Sequence, residues 1–95
     1  MNIQAKVNVI NEVRTGVSQS NGYEWQSQDI VISWTEQLPD GRQREEFLLV
    51  TLHGESVNNF AKLCPVQGET IISGSLDFRT RSYNGKVYND ISLTI

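Results

Sequence analysis

Two alternating apolar stretches meet at Asn84-Gly85. Before it, Ile72, Gly74, Leu76 and Phe78 fall at every second residue, interleaved with Ser73, Ser75, Asp77, Arg79, Arg81 and Tyr83. After it, Val87, Asn89, Ile91, Leu93 and Ile95 keep the same period. A period of two sends alternate side chains to opposite faces of a strand. Asn-Gly supplies the two positive φ values that a type I′ turn demands. Residues from about Thr70 to Ile95 therefore read as a hairpin. A lone hairpin is marginal in water, so the rest of the chain must supply more strands.

The remaining segments read as three strands and one helix. Ile3, Ala5, Val7 and Val9 alternate, and Ile10, Val13 and Val17 follow out of phase. One long strand with a bulge or bend near Ile10 explains the shift. Ser18 to Gly22 is a turn. From about Tyr23 to Thr35, Ile30, Ile32 and Trp34 share one face, while Trp25, Ser27, Asp29 and Val31 share the other. Gln37 to Gly41 is a second turn. From about Glu45 to His53, Leu48, Val50 and Leu52 form an aliphatic core face, opposite Phe47, Leu49, Thr51 and His53. Gly54 to Leu63 is the one helical window, with Val57, Phe60, Ala61 and Cys64 on a single stripe. Pro65 ends it. Three strands, a short helix and a two-strand hairpin, over a single domain 1–95, give an all-β, five-stranded OB-fold Greek-key barrel. Its one short helix lies between strands three and four.

Composition narrows the function. Apolar residues make up 38% and charged residues 20%, which suits a folded chain rather than a disordered one. No apolar run approaches the ~20 residues of a membrane helix. The start carries no secretory pattern, so a cytoplasmic home and no membrane association are expected. The lone Cys64 has no disulfide partner, and His53 has no companions at metal-like spacing, so neither metal nor cofactor is expected. One Cys, one His and no glycine-rich phosphate loop do not assemble a catalytic centre, so the expectation is a binding protein and not an enzyme. The net charge of −3 runs against nucleic-acid binding. The stretch from Arg79 to Lys86 is the local exception, with three positive charges and no negative one.

Three stretches carry a family resemblance. They are Glu46-Phe47-Leu48-Leu49-Val50-Thr51-Leu52-His53-Gly54, the run from Gly68-Glu69 to Leu76, and Arg79-Thr80-Arg81-Ser82-Tyr83. Together they resemble the bacterial single-stranded-DNA-binding protein family, over about residues 45 to 95 and in outline before that. The chain is also similar to small uncharacterised OB-fold proteins of Bacteroidetes, whose Asn-Gly-x-x-Trp pattern is echoed by Asn21-Gly22-Tyr23-Glu24-Trp25.

The resemblance implies sequence-tolerant single-stranded DNA binding in DNA replication, recombination or repair. It places Phe47 and Tyr83 at base-stacking positions and His53 where the family often has Phe. Trp34 lies near a further stacking position, and Arg79 and Arg81 fall at basic ones. It implies a homo-oligomer, dimer or tetramer, and replication or repair proteins as partners. Leu49 stands where the family often has Arg, and the family's acidic, glycine-rich tail is not among residues 1–95.

The residues read alone agree in part. Lys86 joins the two arginines as a phosphate contact, and Trp25 is a surface aromatic near a loop. Trp34 shares its face with Ile30 and Ile32 and fits a core position better than a platform. Tyr88 is a cross-strand companion for Tyr83. The candidate nucleic-acid residues are Phe47, Tyr83, Arg79, Arg81, Lys86, His53, Trp34 and Trp25. The alternatives are an OB-fold module that binds protein, or a single-stranded RNA binder.

Overall fold

The computed structural model describes every residue, Met1–Ile95. The elements are β1 (Asn2–Ile10), β2 (Arg14–Val17), β3 (Glu24–Gln37), β4 (Gln43–His53), α1 (Glu55–Lys62), β5 (Ile71–Tyr83) and β6 (Lys86–Thr94). The sheet order is β1-β5-β6-β4-β3-β2, and β1 also pairs with β3. That last pairing closes β1, β5, β6, β4 and β3 into a five-stranded barrel. The expected first strand is split into β1 and β2, both antiparallel to β3. Taken as one, they restore the order of an OB-fold-like all-β barrel with the helix after the third strand.

The phase shift near the start is a bulge, as expected, but it lies at Asn8 rather than Ile10. Val7 faces Ile32 and Val9 faces Val31, so one residue is extra between them. Ala5 and Val7 are buried and Ile10 packs against the core, while Val9 is turned out and exposed. The bulge lets β1 bond β5 over Asn2–Lys6 and β3 over Lys6–Ile10.

The core joins every element except β2. Ala5, Val7, Ile30, Ile32, Val50, Leu52, Ile72, Leu76 and Leu93 come from five strands, and Val57 and Phe60 come from α1. Each fully buried aliphatic side chain stabilises by roughly 1.5–3 kcal/mol. The helix stripe is shorter than its spacing promised. Ala61 is exposed in the last turn, and Cys64 is exposed because α1 ends at Lys62 and Cys64 adopts a positive φ of 49°. That left-handed residue beyond the last turn is a common way to leave a helix.

The hairpin of β5 and β6 forms as expected, with Asn84 and Gly85 at φ 50° and 76°. It outruns the barrel. Every residue from Asp77 to Asn89 is exposed, including Phe78 and Val87, which the alternation had put on the core side. The radius of gyration is 15.4 Å, against about 12 Å for a compact chain of this length. This projecting segment is called the arm below.

Candidate nucleic-acid interface

Residues that face each other across a strand pair share a face of the sheet. That rule assembles the outer surface of the barrel. Phe47 stands opposite Ser33, Ser33 opposite Lys6, and Lys6 opposite Ile71, one row across four strands. The next row is Leu49, Val31 and Val9. Then come Thr51 with Asp29, and His53 with Ser27 and Arg14. Phe47, Leu49, Val9 and Ile71 are exposed at 59, 57, 42 and 63%, so this face carries an uncovered apolar area.

Three of the candidate aromatics lie along this face. Phe47 and His53 are six residues apart on β4, about 20 Å at the usual strand rise. Trp25 lies beyond His53, on β3, and is half exposed. Trp34 is not on this face. It points inward, half-buried against the core, and its Nε1 donates to Glu36 Oε1 at 3.3 Å.

The other candidates lie on the arm. Arg79, Arg81 and Tyr83 alternate along one side of β5, and face Asp90, Tyr88 and Lys86 on β6. Tyr88 therefore pairs with Arg81, not with Tyr83. The Arg81 guanidinium carbon stands 5.5 Å from the centre of the Tyr88 ring, and its Nε lies 2.9 Å from Asp90 Oδ2.

The two sets meet through one parallel pair. Thr51 on β4 is level with Ser92 on β6. Ser92 also faces Asp77, on the outer side of the arm. Phe47 and Tyr88 each lie four residues before that pair. An even step preserves the face, and parallel strands preserve the direction. Phe47 and Tyr88 therefore lie on the outer sides of their strands, each toward the same end from that pair. Tyr88 and the apolar residues Leu49, Val9 and Ile71 were absent from the sequence-derived set. The shift of phase after Val7 is the signal that would have moved Val9 outward.

The electrostatics of this surface are self-compensated. Lys6 pairs with Glu45 at 3.9 Å, Arg14 with Asp29 at 3.1 Å and Arg42 with Asp40 at 2.6 Å. Arg44 lies between Glu36 and Glu46. Arg79 reaches Asp77 at 4.0 Å and Arg81 reaches Asp90. Of the eight cations, Lys62 and Lys86 alone lack such a pair. The cations of these pairs are all at least two-fifths exposed and such surface pairs are worth little each, so a phosphate can compete for them. Asp29 is the exception in design. One carboxylate oxygen holds both the Thr51 hydroxyl, at 2.8 Å, and Arg14.

At the far end of the face, a groove opens between the β2–β3 hairpin and the start of α1. Gly16, Glu24, Trp25, His53, Glu55 and Asn58 are among its lining residues. No helix of the chain is long and apolar enough to cross a membrane. Neither protein-family models nor curated proteins match the chain.

Proposed function

We propose that the chain binds single-stranded DNA without strong sequence preference, and that it does so on the outer surface shared by β4, β6 and the arm. One observation carries the reading. Phe47 stands exposed on the outer face of an OB-fold-like barrel, and the Thr51–Ser92 pair joins its strand to β6, which carries Tyr88 and Lys86 out along the arm beside Arg79, Arg81 and Tyr83. Bases stack on exposed aromatics whatever their identity, at roughly 1–3 kcal/mol each. The arm's cations take the phosphates, and Lys86 does so without leaving an acid behind. Leu49 and His53 extend the surface along β4. The chemistry is binding, with no bond made or broken.

The test is anisotropy of a labelled oligo-dT of a few tens of nucleotides, at low salt, on a sample shown to be folded. Saturable binding weakened by Phe47→Ala supports the reading. No binding at micromolar protein overturns it. Competition by oligo-U measures the preference for DNA over RNA.

A second reading has an observation of its own. The apolar row of Phe47, Leu49, Val9 and Ile71 also suits a protein surface, and a second copy of the chain is one occupant. Association through that face predicts that Phe47→Ala shifts sedimentation toward the monomer. DNA binding predicts that it lowers oligo-dT affinity at unchanged mass.

A further inference from the structure

The chain holds two Asn-Gly steps, Asn21-Gly22 and Asn84-Gly85, and each sits in an exposed turn. A glycine leaves its backbone nitrogen open to the carboxamide before it, because no side chain shields it. The two turns treat that chemistry differently. In the first, Asn21 Oδ1 accepts from the Tyr23 N–H at 3.1 Å, and the Gly22 N–H donates to the Ser18 carbonyl at 2.8 Å. The Ser18 N–H donates to the Tyr23 carbonyl at 2.8 Å and closes the loop. Both reacting groups are held, the carboxamide in an Asx turn. In the second, the Asn84 carboxamide makes no hydrogen bond and the Gly85 N–H has no acceptor. Asn84 carries a left-handed φ of 50°, and every residue from Asp77 to Asn89 around it is exposed.

We propose that Asn84 is a site of spontaneous deamidation, that Asn21 is spared, and that the product lowers the affinity of the arm for DNA. The Gly85 nitrogen attacks Asn84 Cγ, so that an N–Cγ bond forms as the Cγ–Nδ2 bond breaks. Ammonia leaves, carrying the proton that the Gly85 nitrogen gives up. Water then opens the imide at one of its two carbonyls, to an aspartyl or an isoaspartyl residue. Ring closure needs the turn to loosen, and local openings cost least where least is packed. The product sets a carboxylate two residues from Lys86, the arm's one cation without an acid beside it. An aspartyl residue still suits the type I′ turn. An isoaspartyl residue adds a backbone atom to a two-residue loop and disturbs the register that the turn sets. The effect on DNA rests on the proposed function, and the modification itself does not.

The experiment ages the folded full chain in warm neutral buffer and maps it by trypsin and mass spectrometry against a sample taken at the start. Cleavage after Arg81 and Lys86 isolates Ser82–Lys86, and cleavage after Arg14 and Arg42 isolates Thr15–Arg42, so the two steps are read separately. Asn84 is expected to convert at least about tenfold faster than Asn21. In urea, where neither turn persists, the two rates are expected to converge. Equal rates in the folded chain, or a faster Asn21, overturn the assignment. So does a difference that persists in urea, since sequence rather than structure would then set it. Asn84→Asp makes the aspartyl product directly, and is expected to weaken oligo-dT binding about two- to fivefold at low salt with circular dichroism unchanged. Unchanged affinity of Asn84→Asp, where the unmodified chain binds, overturns the effect on DNA. No binding by the unmodified chain overturns the proposed function instead, and the peptide map still decides the modification.

Discussion

A β-carbon on Gly74 would stand 2.6 Å from the Thr94 carbonyl oxygen and 3.0 Å from Leu93 Cδ1. Gly74 lies where β5 passes from its pairing with β1 to its pairing with β6. The obstacle is backbone, which cannot rotate away. Gly74→Ala is expected to cost about 1–3 kcal/mol, the usual range for overpacking. Urea denaturation measures it, and a loss below half a kcal/mol would show that β6 shifts freely.

Phe60 is the side chain that holds α1 to the barrel, and it is almost fully buried. Phe60→Ala is expected to cost about 3–5 kcal/mol. Cys64, just past the helix, is exposed at φ 49°. Cys64→Gly removes the strain of that left-handed residue, and the expected change is neutral or a gain of a few tenths of a kcal/mol. Thermal melts of the two variants should move far apart.

Leu49 faces outward beside Phe47, on the face proposed to bind DNA. Leu49→Arg is expected to tighten oligo-dT binding severalfold and to steepen its salt dependence by about 0.7 in the log–log slope. Anisotropy titrations between 50 and 200 mM salt, ~4-fold apart, resolve a change of that size. Weaker binding by the variant would say that DNA does not run along β4.

The unmodified chain should show a shallow salt slope. Contacts from Arg79, Arg81 and Lys86 give a value near −2 by the single-strand rule. A slope beyond about −4 would require phosphate contacts from cations outside the arm.

The arm should open without the barrel. Its residues from Asp77 to Asn89 are all exposed and contribute nothing to the core. Amide exchange between Thr80 and Asn89 is expected to be at least ~100-fold faster than at Ile30, Ile32 and Val50, since local openings cost less than global ones. Equal protection would show the arm held by contacts outside the chain.

Alternation made most of this architecture legible. Ile30, Ile32, Val50 and Leu52 are buried where a period of two puts them, and Asn84-Gly85 turns as its φ demand requires. The failures share one cause. Period fixes which side a residue faces, but not whether anything lies there. Phe78 and Val87 face the core side of strands that have already left the barrel. Cys64 continues a helical stripe past the end of the helix, and Ala61, in its last turn, has nothing packed over it. The outward placement of Phe47, Arg81 and Tyr83 was legible residue by residue. The meeting of β4, which carries Phe47, with β6, which carries Tyr88, depends on one parallel contact between strands far apart in sequence, Thr51 with Ser92, and no local pattern encodes it.

The bulge at Asn8 acts like a shift of reading frame. Before it, odd-numbered residues of β1 face the interior and even-numbered ones face out. After it, the assignment is reversed, and Ile10 turns in. A single strand can thereby serve two neighbours, handing over from β5 to β3 with Val7 and Ile10 both kept toward the core and Val9 turned out. Closure of the barrel is thus written as one residue of surplus length, and a chain shorter by that residue would have to forfeit one neighbour.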